Sequence, residues 1–209
     1  MTTVLIESQY LPPVGYFAAL HNTPTILLER HEHYVKQSYR NRCYINAVHG
    51  RESLTVPTTA KHGKVMITDI RIDYGQKWLS NHWRTITSAY GKAPFFEHYA
   101  GDLEKILFQK REFLYDLNYE LLSLCLKWLR WGTTIKETLS YEKTPSTDII
   151  DLRSLINPKK MDFLNNLYKP TPYYQVFGSS FAENASFIDL IFCEGPSAAR
   201  VVQASSVRN

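Results

Sequence analysis

Residues His31 to Arg42 (His-Glu-His-Tyr-Val-Lys-Gln-Ser-Tyr-Arg-Asn-Arg) hold two imidazoles, three cations, a carboxylate, two phenols and two amides around one aliphatic side chain. Such a segment cannot enter a core unless each polar group finds a partner. Aliphatic runs on both sides, Thr25 to Leu28 and Cys43 to Val48, anchor it at each end. An anchored, polar, aromatic segment points to a site, and to anion binding first. Arg40 and Arg42 offer planar forks for phosphate or carboxylate, and Lys36 offers a point charge. Extended chain would point Arg40 and Arg42 the same way, and a helix would bring Lys36 beside Arg40. Tyr34 and Asn41 would orient the ligand. The competing reading is a solvated surface run.

His31-Glu32-His33 has a second use. Two imidazoles on one face of a strand could begin a zinc site, but a third ligand is needed. The other histidines, at 21, 49, 62, 82 and 98, are scattered, so no metal is predicted. The remaining role for His31 or His33 is a general base tuned by a neighbouring carboxylate. Two further stretches carry polar chemistry. Gln9-Tyr10-Leu11-Pro12-Pro13 follows a strand-like run, the position where ligands bind in open α/β sheets. Tyr90-Gly91-Lys92 follows a helical run, where Gly91 as a C-cap and Lys92 on the helix dipole would be purely structural. The sequence has no Gly-x-Gly-x-x-Gly, no Gly-Lys-Ser/Thr loop and no Gly-x-Ser-x-Gly elbow, which counts against dinucleotide enzymes, common NTPases and common esterases.

The elements that must position these residues are an α/β set. Val4–Ile6 reads as a buried strand, Val14–Leu20 as a helix entered through Pro12-Pro13, and Thr25–Leu28 as a second strand parallel to the first. Cys43–Val48 and Ser53–Val56 around His49-Gly50-Arg51-Glu52 read as a hairpin. Val65–Ile72 alternates like a strand, and residues 77–90 carry helical apolar spacing. One long core helix is predicted from an Asp102 N-cap to Gly132. Ile135–Leu139 and Tyr173–Phe177 read as strands, Pro145–Lys160 as turn-rich, and Ser186–Cys193 as a final helix ended by Gly195-Pro196. The fold class is therefore α/β: one domain over residues 1–198, with a mixed β-sheet flanked by helices and a long core helix in the C-terminal half. Residues 199–209 read as a tail.

Composition fits a globular chain of 209 residues, 44% hydrophobic. The net charge of +4 is too small to argue for nucleic acid and tolerates an anionic ligand. Cys43, Cys125 and Cys193 are isolated, as in a reducing compartment. No basic segment precedes a long apolar stretch, and no run reaches the roughly 18 apolar residues of a membrane span. A soluble cytoplasmic location is expected, with no membrane partner. Abundant tyrosines suit core packing and also sugar or base stacking.

Several motifs occur in a fixed order: Gln9-Tyr10-Leu11-Pro12 into Gly15-Tyr16-Phe17; Tyr34-x-Lys36; Tyr39-Arg40-Asn41-Arg42; Leu54-Thr55-Val56-Pro57; His82-Trp83; Ala89-Tyr90-Gly91-Lys92-Ala93-Pro94-Phe95-Phe96; and Ser186-Phe187-Ile188-Asp189-Leu190-Ile191-Phe192-x-Glu194-Gly195. The ordered set resembles the WbqC-like protein family of bacteria over roughly residues 4 to 198. The resemblance implies a cytoplasmic protein of O-antigen or other surface-polysaccharide biosynthesis, with a sugar or sugar-nucleotide context and no stated reaction. Many members read Asp-Asp-x-Gln-Tyr where this chain has Arg30-His31-Glu32-His33-Tyr34, so the histidines depart from the pattern. The resemblance carries a candidate substrate site onto Tyr34, Lys36, Arg40, Asn41 and Arg42, with Tyr90, Lys92 and Glu194 as outlying members, and Gln9 joins them from its loop after the first strand. The reading that follows is an enzyme that transfers a group onto or from an activated or aminated sugar. His31, His33 and Tyr34 are its catalytic candidates. No resident cofactor is predicted, and a nucleotide sugar or acyl donor would be a substrate. Two alternatives stand beside it. One is a non-catalytic binding or assembly protein of the same pathway. The other is a structural network in which Arg40 and Arg42 pair with Asp69, Asp73, Asp151 or Asp189.

Overall fold

The computed structural model describes residues 2–59, 64–159, 166–178 and 180–207. Strand β1 (Thr3–Glu7) leads through helix α1 (Val14–Ala19) to strand β2 (Thr25–Glu29), and the two strands pair in parallel with Thr3 opposite Thr25 and Glu7 opposite Glu29. Strand β5 (Thr134–Glu137) adds in parallel outside β2, and strand β6 (Ile149–Asp151) adds in parallel on the other side of β1. The sheet order is β5-β2-β1-β6. Strands β3 (Arg42–Ala47) and β4 (Gly50–Thr55) form a separate antiparallel hairpin. The predicted mixed sheet is thus two sheets, one all parallel and one antiparallel. The hairpin turns at Val48-His49, because Gly50, at φ +96°, already pairs with Ala47.

Alternation along the strands makes the parallel sheet two-faced. Val4, Ile6, Ile26 and Leu28 are fully buried in the main core together with α1 and with helix α4 (Leu114–Leu129). Leu5, Leu27, Ile149 and Lys136 share the opposite face by register. Leu5 is buried but lies outside that core.

Helix α2 (Trp78–Tyr90) matches the predicted 77–90. The single long helix does not form. Helix α3 (Phe96–Phe108) ends before α4 begins, with Asp102 inside α3. Between them Lys110 takes φ +54°, the Ile72 amide donates to the Glu112 carbonyl, and the Leu114 amide donates to Ile70. Tertiary pairing with residues 70–72 overrides the helix propensity of Gln109 to Glu112. The same pairing holds 65–72 as bridges around a short 3-10 turn, Ile67–Asp69, in place of the predicted strand. Helix α4 is capped by Arg130 in the left-handed region, not by Gly132. Tyr173–Phe177 is irregular, and β6 forms inside the stretch read as turns. After helix α5 (Phe187–Glu194) and a 3-10 turn, Gly195–Ser197, the predicted tail forms helix α6 (Ala198–Ser205), which buries Ala198 and Val202 against α1. Lys160 and the last two residues of that tail lie outside the described residues.

Candidate functional site

Ligands of open parallel sheets bind beyond the carboxyl ends of the strands, where successive connections leave in opposite directions. Here the chain leaves β1 toward β2, while β6 lies on the other flank of β1, so the switch point is between β1 and β6. All four strands end on an acid: Glu7, Glu29, Glu137 and Asp151. Register puts Glu7, Glu29 and Asp151 on the face away from the main core.

Those carboxylates anchor the loops that follow the strands. Glu7 accepts from Gln9 Nε2 (2.9 Å) and from the Ser154 amide (2.8 Å). Glu29, fully buried, accepts from the His31 amide (2.8 Å), Thr138 Oγ1 (2.7 Å) and Arg153 Nη1 (2.8 Å). Arg153 also forks onto Asp151 (3.0 and 2.8 Å) and lies over the Tyr141 ring. Arg40 forks onto Glu32 (2.7 and 2.5 Å) and donates to Ser154 Oγ (3.3 Å). Loops from β1, β2, β5 and β6 therefore meet in one polar crown. Three carboxylates, Glu29, Glu32 and Asp151, pair with two guanidinium groups, Arg40 and Arg153, and Glu7, held by Gln9 and the Ser154 amide, adds a fourth negative charge. Burial pushes the Glu32 carboxyl above the usual range, with Arg40 working against it. Burial alone would lower Arg40, but the charges of Glu7 and Glu32 raise it. Burial also works to raise Asp151, and Arg153 outweighs it, leaving Asp151 lowered and fully ionised at neutral pH. Ser154, exposed and at φ +62°, sits at the switch point between Glu7 and Arg40.

Most of segment 31–42 forms the loop from β2 to β3 and so reaches this crown. His31 Nε2 lies 3.1 Å from the Thr138 carbonyl. A carbonyl only accepts, so Nε2 carries a proton, and Nδ1 is the nitrogen that can exchange one. His33 is exposed and pairs through its backbone with Met66. Tyr34 is half-buried, its phenol raised by burial against the lowering effect of a hydrogen bond with Thr58 and of the Arg42 and Arg40 charges. Lys36 is exposed, and beside it Gln37 accepts from Lys159 Nζ (2.8 Å). Asn41 donates to the Val56 carbonyl and ties the loop to the hairpin. Arg42 is half-buried at the start of β3. Arg40 pairs with Glu32, not with the four aspartates of the structural alternative. Gln9 is buried in the crown and bridges Glu7 to the Ile156 carbonyl.

Tyr90 and Glu194 belong to a second cluster. Asp189, fully buried, accepts from Tyr90 (2.8 Å), Tyr173 (2.6 Å) and Gln175 (2.8 Å). Burial raises its carboxyl, and those three donors work against the rise. Glu194 accepts from the Tyr174 amide, and Lys92 is exposed after α2. This cluster fastens Tyr173 and Gln175 to α5, and Gln175 in turn holds Ala182. The three cysteines are buried, and burial pushes their thiols up, that of Cys193 to about 12. Among the described residues, no group of three or more His, Cys, Asp or Glu is arranged to hold a metal ion. No helix among them is long and apolar enough to cross a membrane.

Glu7, Glu29, Arg153 and Ser154 are absent from the residues singled out in the sequence, and Asp151 is there only as a candidate partner of Arg40 or Arg42, whereas it pairs with Arg153. The signal was present as aliphatic runs closed by an acid, Val-Leu-Ile-Glu at 4–7, Ile-Leu-Leu-Glu at 26–29 and Ile-Ile-Asp at 149–151. The WbqC-like protein family matches residues 7–160, which is most of the chain. The chain belongs to the WbqC-like protein family. The match takes in the whole crown and ends before the motif at 186–195. A relative, Uncharacterized protein Rv1507c of Mycobacterium tuberculosis, is 29% identical over 142 residues, 66% of this chain. The aligned part spans 60% of that relative's length. No solved structure matches.

Proposed function

We propose that this WbqC-like protein is a cytoplasmic group-transfer enzyme of surface-polysaccharide biosynthesis, and that it acylates the amine of an aminated sugar or sugar nucleotide at the carboxyl edge of the parallel sheet. One observation carries the reading: Glu29, Glu32 and Asp151 pair with only two guanidinium groups, with the Glu7 carboxylate beside them, an excess of negative charge that favours a cationic group. Asp151, the most exposed of the four, meets the amine. Lys36 and Lys159 at the outer margin suit the phosphates of an activated sugar. His31 Nδ1 takes a proton from the ammonium, and the freed amine attacks the carbonyl of an acyl thioester. His31 sheds that first proton to solvent; as the N–C bond forms it takes the second nitrogen proton, the C–S bond breaks, and the thiol leaves with the proton that His31 returns. The alternative, a non-catalytic binding or assembly protein, draws support from exposed Leu139 and Tyr141.

Calorimetric titration separates the two, using nucleotide sugars that carry a free amine and their N-acetylated counterparts. The enzyme reading expects the amine to bind at least about tenfold tighter, a difference of about 1.4 kcal/mol, with the preference lost in Asp151→Asn. Equal binding of both forms, or a preference that survives Asp151→Asn, contradicts it.

A further inference from the structure

The proposal above leaves the donor's acyl group open, and the free face of the parallel sheet addresses it. Side chains Leu5, Leu27 and Ile149 form an aliphatic floor there, separate from the main core. The chain from Thr138 to Pro145 passes over this floor and encloses a cavity of about 290 Å³. Its charged neighbours are largely compensated. Glu29 is paired with Arg153 and Glu137 with Arg30, while Lys136 and Glu142, of opposite charge, both line the cavity. A neutral, mainly aliphatic cavity is suited to hydrocarbon.

The same strand-crossing segment shows a second, independent sign of an apolar occupant. Leu139, which lines the cavity, is 95% exposed, and Tyr141, two residues on, is 55% exposed. Leu139 is the most exposed large apolar side chain among the described residues. An apolar side chain exposed beside a cavity with an apolar floor gives a bound hydrocarbon chain further surface to cover. The cavity is also continuous with the crown. Thr138, on its wall, donates to Glu29 and offers its carbonyl to His31 Nε2. A chain lying on Leu5, Leu27 and Ile149 would therefore end with its carbonyl carbon at the imidazole side of the crown.

We propose that this cavity holds the aliphatic part of an acyl thioester donor, with a chain longer than acetyl, and that Leu139 closes over it. The inference rests on the group-transfer reading for its chemistry and on the cavity alone for its binding. The reaction it serves is the one already balanced: the acyl carbon passes from sulfur to the acceptor nitrogen.

The test uses the full chain and neutral acyl-N-acetylcysteamine thioesters of acetyl, butyryl, hexanoyl and octanoyl groups, titrated without acceptor. Affinity should rise about fourfold for each methylene buried, until the cavity is full. Leu27→Trp fills the floor and should abolish the dependence on chain length while amine binding at the crown persists. Leu139→Ser lies on the surface and leaves folding intact, and it should weaken hexanoyl binding while leaving acetyl binding unchanged. Affinity that does not depend on chain length overturns the proposal, and so does unchanged hexanoyl binding in Leu139→Ser. A concentration-dependent dimer that Leu139→Ser abolishes, without chain-dependent binding, also overturns it and assigns the face to a second copy of the chain. Chain-dependent binding without transfer to any amine would leave the cavity assignment standing and remove the group-transfer reading.

Discussion

Arg40→Met tests whether the crown is an electrostatic unit. Methionine keeps much of the buried length of arginine and removes its charge. Glu32, 7% exposed, then loses both bonds of its fork and lies buried without a cation. Breaking a buried ion pair by removing one partner costs about 3–5 kcal/mol. With a urea m-value of about 2 kcal/mol/M, the unfolding midpoint should fall by about 2 M. The loss should depend on pH in a definite direction. Burial already raises the Glu32 carboxyl, and Arg40 is the main group opposing that rise. Without Arg40 the folded carboxyl rises further above its unfolded value. A carboxyl raised in the folded state binds its proton more readily there, so lowering the pH favours the fold. The deficit of Arg40→Met should be largest near pH 7 and shrink as pH falls through the raised carboxyl toward the ordinary carboxylate range. Glu32→Gln with Arg40→Met should recover most of the loss, giving a coupling energy of about 2 kcal/mol in a double-mutant cycle. A single-variant loss below about 1 kcal/mol, a deficit independent of pH, or additive losses in the double variant would refute this reasoning.

Other outcomes follow from the same structure. His82 is buried, with Nδ1 3.1 Å from Tyr10 Oη, and burial lowers its pKa to about 4. Its neutral form favours the fold, so this contribution is complete above about pH 6.5 and is lost as pH falls toward 4, up to about 3 kcal/mol. Urea titrations of His82→Gln against the parent across that window should show a flatter pH dependence, and parallel curves would contradict it. Tyr173→Phe removes a 2.6 Å bond to the Asp189 carboxylate and should cost about 2 kcal/mol. It should also speed hydrogen exchange at the Gln175 and Ala182 amides, and unchanged exchange there would show that Asp189 does not fasten the segment. In Gly195→Ala the new Cβ would stand 2.5 Å from the Phe95 ring at a backbone φ of +52°. A loss of about 1–3 kcal/mol is expected from overpacking, and a neutral result would contradict the close approach of α5 to Phe95.

The first half of the fold is legible in the sequence because its signals are local. Val4–Ile6, Pro12-Pro13 and Thr25–Leu28 spell strand, helix and strand within a span too short for another arrangement, and the crossover rule makes the strands parallel. The polar loop after β2 is legible for the same reason. What it faces is not. Arg40 meets Glu32 eight residues earlier, which a fixed period does not reveal, and Glu29 meets Arg153 at a separation of 124 residues. Strand β6 has three residues and depends on pairing with β1, so its own sequence carries little signal. The break between α3 and α4 is likewise imposed from outside, by residues 70–72. The repeated acid at the strand ends was visible, yet it acquires meaning only when the register sets Glu7 beside Glu29 and Asp151 on their face.

The central claim is acyl transfer to an amine at the crown, with His31 as the base. The most direct measurement is a mass-spectrometric transfer assay with an acyl thioester and a nucleotide-linked amino sugar, comparing the parent with His31→Asn. The parent should give an N-acylated product, with the rate falling at least about a hundredfold in His31→Asn while amine binding is retained. Product formed equally fast by His31→Asn, or no product from any amine that binds the crown, would contradict it.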